Sequence, residues 1–246
     1  MMNIALIGYG KMGKEIEHIS SKRNVAIKKI FTEKNNAKGS GLTKRSLKNV
    51  DVCIDFSMPS AAFRNISAAA ECGTNIVVGT TGWYDKLPEV NKLVRSREIG
   101  VLYSPNFSLG MNIFSHVLRS SLLYLDKFDL YDIAVREIHH TAKADSPSGT
   151  ALALGEIILD HVRSKKEIVS NSLHKKIQPS QLHISATRVG NIVGNHSVIF
   201  DSESDTIELT HSAKNRGGFA LGALLAAEWL NGKKGLFTMN DVITSL

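Results

Sequence analysis

The apolar run Ile4-Ala5-Leu6-Ile7, followed at once by Gly8-Tyr9-Gly10-Lys11-Met12-Gly13, narrows the folds open to this chain more than any other stretch. Four consecutive apolar residues fit a parallel strand covered on both faces. Residues 12–21 then carry helical spacing. A glycine triplet alone arises by chance, but one that closes a strand and opens a helix has a mechanical reading. Gly8 permits the tight turn, Gly10 lets a pyrophosphate approach the backbone, and Gly13 lets helix and strand pack closely. With Tyr9, Lys11 and Met12 between them, these are candidate contacts to a dinucleotide.

The pattern continues. Strand candidates at 25–31, 52–56, 75–79 and 100–104 alternate with helical stretches at 61–72 and 87–97. Such alternation predicts α/β architecture with a doubly wound, Rossmann-type parallel sheet. Past about residue 112 it stops. A helix, a strand at 130–138, a polar motif and strands at 182–188, 194–200 and 206–211 read as an α+β domain with a mostly antiparallel sheet. An apolar helix at 222–230 closes the chain. The expected organisation is a discontinuous dinucleotide-binding domain, 1–107 plus 217–246, around an inserted substrate domain, 108–216.

At 246 residues, 43% hydrophobic and 22% charged, the chain can bury the core that two small domains need. No apolar run has the length of a membrane span, and the first residues read as a strand rather than a basic leader, so a cytoplasmic protein without a membrane partner is expected. Cys53 and Cys72 lack ligand-like spacing, which implies neither a metal nor a disulfide. The net charge of +7 raises a nucleic-acid reading. Basic residues are scattered, however, apart from Arg163, Lys165, Lys166, Lys175 and Lys176, and no nucleic-acid-binding motif accompanies them. A positive balance also concentrates small anions.

The densest chemistry lies in Glu137-Ile138-His139-His140-Thr141-Ala142-Lys143-Ala144-Asp145-Ser146-Pro147-Ser148-Gly149-Thr150. Two imidazoles beside an ammonium suit a site that binds an anion and handles a proton, whereas a solvated loop is the bland reading. A helix beginning directly after Ser148-Gly149-Thr150 favours the first reading. Its free N–H groups and dipole cradle a carboxylate or phosphate.

Two further loops follow strand ends, where such sheets bind ligands. Gly79, Thr80 and Thr81 lie after the fourth strand, and Ser104, Pro105, Asn106 and Phe107 after the fifth; both suit a carboxamide and ribose. The second strand ends in Thr32-Glu33-Lys34. Glu33 can accept bonds from a ribose diol, as NADH requires, and Lys34 can meet the 2′-phosphate of NADPH. An ordinary charged turn fits equally well, so NADH, NADPH or both remain open here.

These residues together resemble the 4-hydroxy-tetrahydrodipicolinate reductase (dihydrodipicolinate reductase) family over nearly the whole chain. The resemblance rests on the glycine loop, Asp51-Val52-Cys53-Ile54-Asp55-Phe56-Ser57, residues 79–83 and 105–108, the His-His-x-x-Lys-x-Asp-x-Pro-Ser-Gly-Thr run, Gly194-Asn195-His196, Ile207-Glu208-Leu209-Thr210-His211 and residues 216–223. It implies NAD(P)H-dependent reduction of a small cyclic dicarboxylate in the diaminopimelate route to lysine. It casts His139 as a proton donor or acceptor, Lys143 as the proton-donating lysine and His140 as a substrate contact. Ser148, Gly149 and Thr150 would hold a substrate carboxylate, Arg216 would lie near the domain junction, and the inserted domain would assemble a homotetramer. One departure concerns cofactor choice: the acid that often closes the family's second strand is replaced by Thr32, with Glu33 one residue later. The competing readings are another two-domain NAD(P)-dependent dehydrogenase, a non-catalytic dinucleotide-binding regulator, and a nucleic-acid binder.

Overall fold

A computed structural model describes residues 1–128, 130–170 and 173–245. Leu246 of the expected cofactor domain, and Asp129, Asn171 and Ser172 of the expected insertion, lie outside the described residues. The chain divides into two compact units, Met1–Asn112 with Arg216–Leu246, and Ile113–Asn215. The first unit begins β1 (Met2–Ile7), α1 (Lys11–Ser20), β2 (Val25–Phe31), β3 (Val52–Asp55), α2 (Pro59–Cys72), β4 (Asn75–Val78), α3 (Leu87–Arg97) and β5 (Gly100–Tyr103). Helix α4 (Leu109–Phe128) carries the chain into the second unit, which adds β6 (Asp132–His139), α5 (Gly149–His161), β7 (Glu167–Val169), β8 (Gln181–Arg188), β9 (Gly194–Asp201) and β10 (Thr206–Ala213). The chain returns through α6 (Gly217–Leu230), β11 (Gly235–Thr238) and α7 (Met239–Thr244).

The first unit is a parallel six-stranded sheet in the order β11-β5-β4-β3-β1-β2. Alternation along β1 sends Ile4 and Leu6 into one apolar layer with Ala223, Leu224 and Ala227 of α6, and Ala5 and Ile7 into another with Ala62, Ile66 and Ala69 of α2. Both faces are therefore covered, as the unbroken apolar strands require. Pro59 in the first turn and left-handed Gly73 at the end bound α2. Helix α6 starts at Gly217, earlier than the apolar pattern alone marks, because its first turn is glycine-rich. The edge strand β11 was not anticipated; its four half-buried residues offer no apolar run.

The second unit holds a mixed sheet, ordered β10-β9-β6-β8-β7. Its longer ladders, β10 with β9 and β9 with β6, are antiparallel, while β6 with β8 and β7 with β8 are parallel. The parallel pairs arise because α5 forms the crossover out of β6, which returns the chain in its original direction. Strand β7, three residues long, is too short to announce itself by periodicity. Along β6 the buried positions are Ile133, Val135, Glu137 and His139. Period-two geometry thus places a carboxylate and an imidazole in the row that two aliphatic residues begin.

Candidate active site

In the first unit, β1 has β2 on one side and β3 on the other, so the chain reverses its direction of travel across the sheet at this point. Ligand crevices form outside the carboxyl ends of such strands. Gly8 sits there at φ +88°, and a Cβ on it would strike the Phe56 carbonyl that follows β3. A Cβ on Gly13 would strike the Gly8 carbonyl. Gly10 differs, since a Cβ there would meet no protein atom within 4 Å. Packing within the chain explains the first two glycines. The third leaves the loop backbone open to approach, which fits a pyrophosphate.

Two cavities adjoin this loop. One, of about 610 Å³, is lined by Gly8, Tyr9, Gly10, Glu33, Lys38 and Arg64, among others. The other, of about 460 Å³, joins Gly10, Lys11 and Met12 to Gly79, Thr80, Thr81 and Arg216. The glycine loop, the Gly79–Thr81 loop and Glu33 thus come together around space suited to a dinucleotide. Lys34 lines neither cavity; Lys38 and Arg64 supply the positive charge on the first, and the sequence reading missed both. Ser104, Pro105, Asn106 and Phe107 also line neither cavity. Ser104 Oγ donates to the Asn106 carbonyl at 2.9 Å, and Phe107 is a core residue packed edge-on against Phe56.

Asp55, at the end of β3, is fully buried. Its carboxylate accepts from Ser57 N (2.7 Å), Asn65 Nδ2 (2.8 Å) and Thr80 Oγ1 (3.0 Å). Asn65 Oδ1 in turn accepts from Asn36 Nδ2 at 3.0 Å. One acid therefore ties the turn after β3, helix α2, the Thr80 loop and the loop carrying Lys38. Burial pushes its carboxyl upward against these hydrogen bonds. The lone acid in an apolar run was the available signal.

In the second unit, His139 ends β6, with half-buried His140 directly after it. Lys143 N donates to the His140 carbonyl (3.1 Å), closing a turn directly after β6. Its ammonium donates to both oxygens of Asp145, at 2.7 and 3.0 Å. Lys143 above all holds the Asp145 carboxyl below its ordinary range, against the opposing effect of burial. Asp145, absent from the expected site set, thus gives the Lys143 ammonium a carboxylate partner just before α5 begins. Ser148 caps α5, its Oγ accepting from Ala151 N at 3.2 Å. A Cβ on Gly149 would meet nothing within 4 Å, and Thr150 follows it, half-buried in the first turn of α5.

Behind this rim lies a buried polar network. Glu137 Oε1 accepts from Arg188 Nη2 (2.8 Å) and Ser148 N (3.1 Å), and Glu137 Oε2 pairs with His139 Nδ1. The His139 ring stands edge-on to His196, whose Nε2 meets Ser148 Oγ at 3.2 Å. Burial favours the neutral acid at Glu137, but Arg188, His139 and the Ser148 N–H outweigh it and hold the carboxyl below its usual range. Burial lowers His139 despite Glu137, and pulls His196 down to about 4, so both imidazoles are neutral near pH 7. Donor atoms of Glu137, His139 and His196 lie within 4.8 Å of one another, the spacing of a metal-ligand set. The carboxylate is already shared by a guanidinium, an amide and an imidazole, which makes this a hydrogen-bond network. Arg188, Glu137 and His196 were not among the expected site residues; an ionisable residue at an inward strand position is the signal they carried.

Residues 2–107 match the family model described as dihydrodipicolinate reductase, N-terminus, and residues 110–243 match its C-terminus counterpart. The 4-hydroxy-tetrahydrodipicolinate reductase of Christiangramia forsetii is 39% identical over 100% of this chain and 99% of its own length. That of Methanosarcina mazei is 33% identical over 99% of each. Among solved structures, a dipicolinate-bound dihydrodipicolinate reductase from Paenisporosarcina superposes with a TM-score of 0.79 at 22% identity, covering 97% of both chains. With both halves matched and full-length relatives above 30% identity, this chain belongs to the dihydrodipicolinate reductase family.

Proposed function

We propose that the protein reduces 4-hydroxy-tetrahydrodipicolinate to tetrahydrodipicolinate, with the first unit holding NADH or NADPH and the second holding the substrate. The observation that carries this reading is the grip of the Lys143 ammonium on both oxygens of a single carboxylate, just before α5 begins. A dicarboxylate substrate offers the same group, and Ser148–Thr150 add the positive end of α5. When bound, the nicotinamide supplies a hydride. The ring that receives it gains electron density, which a positioned acid must neutralise. Lys143 is the residue that donates this proton. His139, paired through Nδ1 with Glu137, acts as acceptor or relay, and His140 contacts the substrate at the rim. In the first unit the Gly8–Gly13 loop and Gly79–Thr81 bind the dinucleotide, with Ser104–Phe107 shaping the turn after β5.

Cofactor choice follows from the wall of the larger cavity. Glu33 favours a ribose diol, whereas Lys38 and Arg64 favour a 2′-phosphate; with both signs present, the enzyme uses both cofactors. In the second unit, α4 exposes Ile113, Val117, Tyr124 and Phe128 on one face, and β10 exposes Ile207. Apolar surface of this kind supports assembly with further copies, as a homotetramer. No helix among the described residues is long and apolar enough to cross a membrane. The reading places a cytoplasmic enzyme in lysine biosynthesis, with no nucleic-acid partner.

Lys143→Ala tests the assignment. Turnover should fall at least about a hundredfold while NAD(P)H affinity, followed by fluorescence titration, changes little. Near-normal turnover overturns it.

A further inference from the structure

We propose that Glu137 is a positioning residue whose carboxylate sets which nitrogen of His139 carries the proton and, through its other oxygen, anchors the start of α5. The proposal rests on the reading of His139 as part of the proton-handling site. Glu137 and His139 are two residues apart on β6 and so share a face. Glu137 is completely buried, and its two oxygens have different partners. Oε1 faces two groups that can only donate, the Arg188 guanidinium at 2.8 Å and the Ser148 backbone N–H at 3.1 Å. Oε2 faces His139 Nδ1. An ionised carboxylate has no proton to give, so Nδ1 must be the protonated nitrogen and Nε2 the one with the lone pair. A Cβ on Gly194 would stand 3.0 Å from that Nε2, so glycine there keeps the reactive edge of the ring uncovered. Arg188 adds a second restraint, since the same Nη2 donates to the Asp145 carbonyl at 2.6 Å. One buried acid therefore joins the imidazole, the α5 N-terminus and the loop that carries Lys143.

Glu137→Gln separates this role from a merely structural one. Arg188 and Ser148 both donate toward one oxygen and pin the amide oxygen there. The amide NH2 must then face Nδ1, which becomes an acceptor, and the proton moves to Nε2. A catalytic His whose orienting carboxylate becomes an amide loses turnover through the wrong tautomer. The expected result is a fall in kcat/KM of at least about a hundredfold, with the NAD(P)H dissociation constant changed by less than about threefold. Nitrogen NMR of the His139 ring should show the proton transferred from Nδ1 to Nε2, and Glu137→Asp should restore the Nδ1–H form. The wild-type enzyme supplies a test that needs no variant to fold: its His139 should carry the Nδ1 proton. A wild-type ring protonated at Nε2, or a tautomer unchanged in Glu137→Gln, overturns the proposal. His139→Asn tests the underlying reading by itself. Full turnover in that variant removes His139 from the chemistry, whatever the tautomer measurements show.

Discussion

Replacing Arg188 by Met should expose how much of the second unit hangs on its buried ion pair. Glu137 is fully buried and the Arg188 side chain is 18% exposed, so the substitution strands a carboxylate that keeps only the Ser148 N–H and His139. Removing one partner of a buried pair costs about 3–5 kcal/mol. Water reaching the vacated edge and two surviving hydrogen bonds place this case near the lower end, about 3 kcal/mol. For a chain of this size that is a fall in Tm of roughly 6–12 °C. The loss should also depend on pH. Glu137's carboxyl is held below its ordinary value in the fold, so its stabilisation is present above the unfolded value of about 4.3 and disappears as pH falls through the folded one. The deficit of Arg188→Met should therefore be largest near pH 7 and shrink below about pH 4. Adding Glu137→Gln, which removes the stranded charge, should recover at least about half of it. Urea melts at several pH values measure all three quantities. A loss under about 1 kcal/mol, or one that is the same in acid and at neutrality, would show that the pair does not carry the charge balance described.

Gly10→Val should abolish NAD(P)H binding with little change in Tm, because a Cβ there meets no protein atom; an unchanged fluorescence titration would contradict the loop's assignment. Glu33→Ala should shift the ratio of kcat/KM values toward NADPH, and the wild-type values for the two cofactors should lie within about a hundredfold of each other. Arg64→Ala should shift the ratio toward NADH, whereas Lys34→Ala should leave it in place, since Lys34 is not on the cavity wall. If neither Glu33→Ala nor Arg64→Ala moves it, the ribose is read elsewhere. Light scattering at micromolar concentration should give a tetramer, and a monomer would remove the proposed role of the α4 and β10 surfaces.

The glycine loop was legible in the sequence because its constraints are local. Gly8 and Gly13 are forced by carbonyls of Phe56 and of Gly8 itself, and such close approaches leave glycine as their only trace. The polar run after β6 was legible for a related reason: His139, Lys143 and Ser148 are close in sequence as well as in space. What escaped notice reaches the site from elsewhere in the chain. Arg188 comes from β8 and Arg64 from α2, and nothing near these residues marks a partner, while His196, from β9, entered only through the family resemblance. Asp55 and Glu137 sit in strands whose apolar neighbours dominate the pattern, although a buried acid always needs donors. The parallel pairing of β6 with β8 was hidden because its crossover helix begins inside the polar motif.

Turnover of the proposed substrate decides whether the chain is a 4-hydroxy-tetrahydrodipicolinate reductase. 4-hydroxy-tetrahydrodipicolinate, generated freshly by a coupled synthase, should cause oxidation of NADH and of NADPH by the purified wild-type enzyme. Dipicolinate, a planar dicarboxylate analogue, should inhibit competitively with the substrate. Oxidation that depends on that substrate and is suppressed by dipicolinate is the predicted result. A folded enzyme that binds NAD(P)H yet oxidises neither cofactor when the substrate is supplied would contradict the account.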